Sequence, residues 1–353
     1  MEQQQKNGYV MMVDVAEERV EAPSKKAQKA QQKTIKKQQK AAMKAAMEQE
    51  KQKKREEKGS VKKKRRWRLG DRADGRKLRT LDPSARISPY IMHIRSDSQN
   101  HFEDEIDITE IENYLRERRK EGLKNLGILH IIIAAYVRAV SQRPAINRFI
   151  AGNKVYARNN IEVVMTIKKK LSTTSPDTTM KCIFEPTDTI DQIYEKWNDV
   201  ATRAVGTGED TAFDNTAKLL NYIPGFLLKY TIKFLRLLDY YGLLPRALTR
   251  VSPFHGSMVI TSMGSLGIGP IYHHLYDFGN LPVFLCYGKK YSKVLFKEDG
   301  TTEKRYFVGF RAVTDERICD GYYYASAFKT VMHNIKNPAA LEIPPEQVVE
   351  DID

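Results

Sequence analysis

Residues 306–321 constrain the fold more tightly than any other stretch of this chain. Tyr306-Phe-Val-Gly-Phe-Arg-Ala-Val313 is a run of aromatic and β-branched residues with strand character, and Tyr322 to Ile335 has the apolar spacing of a helix. Between them stands Asp315-Glu316-Arg317-Ile318-Cys319-Asp320-Gly321. A charged cluster pinned between two apolar elements must hold its polar groups in fixed geometry, because such groups are costly to bury without partners. Asp-Gly at its end suits the start of a helix.

The rest of the chain alternates between both types of element. Strand signals occur at Ile91-Met-His-Ile-Arg95, Phe102 to Ile108, Val155-Tyr-Ala157, Ile161 to Ile167, Lys181 to Glu185, Ser257 to Ser262 and Leu281 to Tyr287. Ile161 to Ile167 is apolar almost throughout, as for a central strand. Lys290 to Phe310 reads as a hairpin around Asp299-Gly300. Helix signals cover Thr109 to Gly122, with Thr109 as N-cap, then Leu126 to Val140 and Thr189 to Val205. Met263 to Gly269 is a glycine-rich turn. Its spacing matches no nucleotide-binding fingerprint. This order of elements predicts an α/β fold.

Charge divides the chain unevenly. Residues 1–80 hold 25 Lys and Arg against 11 Asp and Glu, whereas residues 81–353 hold 34 against 33. The expected organisation is a lysine-rich helical or disordered arm over 1–80, a globular domain over 85–340 and an acidic tail over 341–353. Ser24 to Lys58 lacks Gly and Pro, and the run Lys62-Lys-Lys-Arg-Arg-Trp67-Arg68 follows it. Three readings of the arm stand: a solvated appendage, a contact for an anionic partner (nucleic acid or an acidic membrane surface) at residues 25–68, and a docking arm for an acidic protein. Three scattered cysteines, Cys182, Cys286 and Cys319, form no Cys-x-x-Cys pair. Neither a disulfide framework nor a metal site is expected, and a reducing cytoplasm fits. No apolar run is long enough for a transmembrane segment.

Residues 217–248 are rich in bulky apolar side chains, with Lys229, Lys233 and Arg236 on one side at helical spacing. Two readings stand: a pair of helices packed on the core, or a basic amphipathic surface for a membrane interface or an acyl chain.

Three stretches together carry a family resemblance: Gly256-Ser-Met-Val-Ile-Thr-Ser-Met-Gly264, Asn280-Leu-Pro-Val-Phe-Leu-Cys-Tyr-Gly288 and Thr314-Asp-Glu-Arg-Ile-Cys-Asp-Gly321. Their order and spacing resemble the catalytic domain of the dihydrolipoyl acyltransferases, the core component of the 2-oxo acid dehydrogenase complexes. More broadly they resemble the chloramphenicol acetyltransferase fold. The resemblance implies a two-layer sandwich with a mixed sheet, a homotrimer or higher assembly of trimers, and a site between subunits. It implies coenzyme A or acyl-coenzyme A as substrate and no metal.

Carried over by position, the resemblance makes Thr261 the hydrogen-bond donor to a tetrahedral oxyanion. Arg317, Asp320 and Gly321 match the family motif. Glu316 stands where the family has its proton-accepting histidine. A carboxylate is a weak base unless burial raises its pKa. Two functions follow: an acyltransferase with Glu316 as altered base, Thr261 as oxyanion donor and Asp320 holding the loop, or an inactive trimeric scaffold or coenzyme A-binding protein. A third reading makes the globular part an oligomeriser for the arm. Glu316 paired with Arg317 would be the purely structural role for that carboxylate. His255, His273 and His274 flank the glycine-rich turn and His93 lies on the first expected strand. One of them could replace the missing base, but the ordinary reading of each is a surface or satisfied histidine.

Overall fold

The computed structural model describes residues 67–168, 177–206 and 212–353. Residues 25–66, and with them the reading of a contact for an anionic partner, lie outside these. Arg68–Asp353 forms one compact unit. It begins earlier than the expected boundary at residue 80, because Arg72 and a short strand, β1 (Gly75–Lys77), belong to the fold. The acidic tail is also part of it. Arg148 holds Asp351 through both guanidinium arms, and the Asp353 carbonyl accepts from the Arg79 and Thr80 amides.

The remaining strands are β2 (Gln99–Asp107), β3 (Arg148–Ala151), β4 (Lys154–Arg158), β5 (Ile161–Lys168), β6 (Asp177–Phe184), β7 (Met258–Ser262), β8 (Val283–Phe296) and β9 (Thr302–Asp315). Six of them make one sheet in the order β2-β9-β8-β7-β5-β6. β5 pairs with β7, and β7 with β8, in parallel; the other neighbours are antiparallel. A second sheet has the order β1-β4-β3. The helices are α1 (Pro83–Ile91), α2 (Thr109–Lys120), α3 (Ile128–Gln142), α4 (Ile190–Gly206), α5 (Ala212–Asn221), α6 (Gly225–Tyr240), α7 (Arg246–Val251) and α8 (Gly321–Lys336). The mixed-sheet α/β expectation is met.

Strand alternation sends successive residues to opposite faces. Met258 and Ile260 of β7, with Val283 and Leu285 of β8, enter the main core beside Ile132 and Tyr136 of α3 and Tyr324 of α8. Val259, Phe284 and Val313 point the other way and form a smaller cluster with Leu275 and Leu281. The outer face is thus covered by the segment 263–281, which crosses it as a strap.

Two local expectations fail for identifiable reasons. Ile91-Met-His-Ile-Arg95 is the end of α1 and an irregular turn rather than a strand. Arg95 is drawn inward to Asp315 there, at 3.3 Å. Thr109 opens α2 but does not cap it, because its hydroxyl accepts from the Tyr306 amide of β9 and the Asp107 carboxylate takes the Thr109 amide.

Two buried ionic clusters tie the elements together. Asp315, 1% exposed, receives Nε and Nη2 of Arg317 at 2.8 Å each, and Arg95 from the other side. Its own carbonyl accepts the Tyr324 hydroxyl of α8 at 2.8 Å. The second cluster seats α6. Arg72 bridges Asp74 at 2.9 Å and Asp239 at 2.6 Å, and His255 Nε2 lies 3.5 Å from Asp239. Burial opposes the Asp239 charge, but His255 and Arg72 overcome it and hold the carboxyl down to about 2.

Asp315→Ala leaves two guanidiniums without their shared anion and is expected to cost about 3–5 kcal/mol of stability, read from urea denaturation. A loss below about 1 kcal/mol, the range of exposed ion pairs, would refute this account. Because the folded Asp239 value lies below its ordinary 3.8, its stabilisation is complete above that pH and is lost as pH falls through about 2. Asp239→Asn is expected to remove on the order of 2 kcal/mol at neutral pH and to flatten that part of the acid profile.

Candidate functional site

The motif residues sit at the end of β9. Asp315 leaves the strand, Glu316 to Ile318 form one 3-10 turn, and α8 begins at Gly321. The turn is closed by the Arg317 amide donating back to Asp315 Oδ1 at 3.2 Å and the Glu316 amide donating to the Ser98 carbonyl at 2.8 Å. Asp320 is the N-cap of α8, its carboxylate accepting from the Tyr323 amide at 2.8 Å. Among the described residues nothing crowds the Gly321 α-carbon. Cys319 packs against the main core, where burial raises its thiol pKa.

Glu316 is exposed. Its expected ion pair with Arg317 is not formed, because Asp315 already engages that guanidinium and Arg317 Nη1 is spent on the Met92 carbonyl at 2.9 Å. The Glu316 carboxylate therefore stands free of intrachain partners among the described residues.

Thr261 lies two strands away, on β7. It is level with Cys286 of β8, which is level with Arg311 of β9. Glu316 is five residues further along β9 and two strands across, so the two are roughly 20 Å apart in one chain, at about 3.4 Å per residue and 4.8 Å per strand. The chain does not bring Glu316 and Thr261 together by itself.

What it does bring to Thr261 is a histidine. Thr261 alternates onto the outer face, under the strap, and its Oγ1 lies 3.2 Å from His273 Nε2. The imidazole stacks on Phe284, with centroids 4.3 Å apart and planes within 12°. Burial, and then the neighbouring His274, lower the His273 pKa below its ordinary value, so the neutral ring faces the hydroxyl at pH 7.

The strap that carries His273 is fixed at both ends. Met263 to Ile268 folds onto β8 at its irregularity between Tyr287 and Lys290, through Met263 N to Tyr287 O and Lys289 N to Ile268 O, both 2.8 Å. The approach is close enough to require glycine: a Cβ on Gly288 would meet Pro270 Cδ at 2.5 Å, and one on Gly264 would meet the Gly288 carbonyl at 2.8 Å. Further along, Arg311 lies over the Tyr272 ring at 4.8 Å and pairs with Glu103 at 3.1 Å. Ser96 holds Asp277, and Arg95 Nη2 donates to the Gly279 carbonyl at 3.0 Å.

Sequence alone singles out Thr261, and leaves His273 as one of four histidines that could replace the missing base, each with an ordinary structural role as the favoured alternative. The signal was present in the 12-residue interval between Thr261 and His273, filled by Gly264, Gly267, Gly269 and Pro270, which lets a segment double back over its own strand. His255 is engaged in the second ionic cluster instead, with Nδ1 2.8 Å from Ser252 Oγ. Among the described residues no group of three His, Cys, Asp or Glu is arranged to hold a metal ion.

No protein-family model matches the sequence, and neither does any curated protein. Among solved structures, the chain is similar to a probable dihydrolipoamide acetyltransferase from Listeria monocytogenes, with 16% identity over 74% of this chain and 95% of that one, at a TM-score of 0.47. It is similar to the dihydrolipoamide acetyltransferase of Azotobacter vinelandii, with 12% identity over 77% and 95% and a TM-score of 0.48. A chloramphenicol acetyltransferase aligns with 14% identity over 73% and 99% and a TM-score of 0.43. These are structures of the kind that the three sequence stretches resemble.

Titration of the His273 ring by NMR is expected to give a pKa below the ordinary histidine value of 6.5. Phe284→Ala, which opens the ring to water, is expected to move it back up. A His273 value above 6.5 would contradict the buried, neutral imidazole.

Proposed function

We propose that this chain is an acyltransferase acting on an acyl-coenzyme A thioester, with Thr261 and His273 as its working pair. The observation that carries the reading is the 3.2 Å contact between the Thr261 hydroxyl and His273 Nε2 on the outer face of the sheet. In the resting pair, hydroxyl and imidazole satisfy each other. A bound thioester exchanges that single hydrogen bond for two. The hydroxyl donates to the carbonyl oxygen as it becomes an oxyanion, and the freed Nε2 accepts the proton of the attacking acceptor. The acceptor heteroatom bonds to the acyl carbon and the carbon–sulfur bond breaks. The departing thiolate then takes the proton back from the imidazolium. A neutral ring is the form this requires, and the lowered His273 pKa supplies it at pH 7.

A second reading keeps Glu316 as the base, and one observation favours it: its carboxylate is exposed and unpaired on a rigid turn. Since roughly 20 Å separates it from Thr261 within a chain, this reading needs a second copy. It goes with a homotrimer whose sites lie between subunits, and with Asp320 and Arg317 holding the turn.

The test is release of free coenzyme A thiol from short acyl-coenzyme A donors over a panel of hydroxyl, amine and thiol acceptors. Thr261→Ala is expected to slow turnover by about 10²–10³-fold. His273→Ala is expected to abolish it while Glu316→Gln leaves it intact. The reverse pattern assigns the base to Glu316 of a neighbouring copy. Coenzyme A binding without turnover on any acceptor makes the chain a non-catalytic scaffold. For the His273 reading, the rate is expected to fall on the acid side with a midpoint below the ordinary histidine value of 6.5.

A further inference from the structure

The surface that the proposed chemistry leaves unused is α6. Its residues divide into three stripes at helical spacing. Leu228, Ile232, Leu235, Leu238 and Asp239 form the inward stripe and are partly or fully buried. A second stripe, Phe226, Tyr230, Phe234, Leu237 and Tyr241, faces outward, with Phe226 68%, Tyr230 64% and Phe234 58% exposed. The third stripe is Lys229, Lys233 and Arg236, which borders the outward apolar one on a single side. These three cations also line a shallow concavity of about 460 Å³. The neighbouring turns add Tyr222 and Leu243, both well exposed. An apolar surface of this size and continuity is uncommon on a protein that meets only water.

The helix is held firmly in this attitude. Arg72 donates to both the carboxylate and the carbonyl of Asp239, and His255 closes on the same carboxylate. The β3–β4 turn touches its last residues, where a Cβ on Gly152 would strike the Tyr240 carbonyl at 2.4 Å. The outward apolar stripe is therefore the fixed outer face of the fold.

We infer that α6 docks this protein onto the surface of an anionic membrane. Charge decides the occupant. From Gly225 to Val251 there are five basic residues, Lys229, Lys233, Arg236, Arg246 and Arg250, and Asp239 is the sole acid, neutralised inside the fold. A second copy of the chain would bring no free acid on this helix to meet those cations. A lipid surface meets both stripes at once: phenylalanine and leucine enter the boundary of the acyl region, while tyrosine hydroxyls and the cations remain among phosphate headgroups. No helix among the described residues is long and apolar enough to cross a bilayer, so the contact lies in the plane of the interface.

The full-length chain is tested for co-sedimentation with phosphatidylcholine vesicles containing about 30 mol % phosphatidylserine, a strongly anionic surface. A parallel sample carries an NBD fluorophore at Phe234→Cys. Expected results are a blue shift of the fluorophore on vesicles and at least tenfold weaker binding by Phe226→Ser/Phe234→Ser, roughly the effect of removing two inserted rings. Binding should partly survive about 0.5 M salt, which screens a purely electrostatic contact by residues 25–68. Because both rings are solvent-exposed, the double variant should keep the wild-type circular dichroism melt, so lost binding reports the surface itself. An unshifted fluorophore, or a double variant that binds as wild type, overturns the inference. So does a fall in solution mass by light scattering in the double variant, which would assign the face to contact between copies.

Discussion

One carboxylate between two guanidiniums organises the molecule. Asp315 is almost wholly enclosed, and it is shared by Arg317 from its own turn and Arg95 from the segment after α1. Three charges in that space leave an excess of positive charge, and burial lowers the Arg95 pKa accordingly. Carbonyls take up what the single anion cannot: Met92 receives Arg317, and Tyr276 and Gly279 receive Arg95. Since those carbonyls belong to two irregular stretches, the turn after α1 and the strap, satisfying the cluster fixes the end of β9, the start of α8, the turn after α1 and the far end of the strap. The strap carries His273. The geometry at Thr261 thus depends on an ion cluster two strands away at the end of β9, with the strap joining the two.

Strand parity does the remaining positioning. Met258 and Ile260 are committed to the helical core, so Val259 and Thr261 can face only outward. A hydroxyl one residue earlier, in place of Ile260, would be enclosed in the helical core. On the outer face it lies under a strap rather than a helix, and a strap of glycine, proline and histidine can bring polar atoms to within hydrogen-bonding distance without exposing them fully.

Much of this was legible in the residues. The hairpin around Gly300, the apolar central strand β5, the strand–turn–helix around Asp315 and the outward amphipathic character of 217–248 all arise from local pattern, and local pattern is what spacing and composition record. The exceptions share a cause. Ile91 to Arg95 alternates as a strand does, yet Arg95 answers to a carboxylate more than two hundred residues away. Residues 68–80 look like the end of a basic arm, but Arg72 and Arg76 are spoken for by Asp74, Asp239 and the backbone near the C-terminus. The reading that paired Glu316 with Arg317 chose the adjacent acid, whereas the fold chose Asp315, which can be reached by two guanidinium nitrogens at once. In the first two cases a buried charge found its partner through tertiary structure; in the third, burial chose between two acids that are both close in sequence.

The exposed position of Glu316 has one more consequence. Every interaction that shapes its turn is made by a neighbour or by its own backbone amide, which bonds Ser98. The side chain at 316 is consequently uncoupled from folding: a carboxylate, an amide or an imidazole could occupy it while the ion cluster beneath stays intact. For a lineage, such a residue is an open socket in an otherwise committed structure. The side chain there can be exchanged in a single substitution, with no compensating change in the ion cluster that holds the turn.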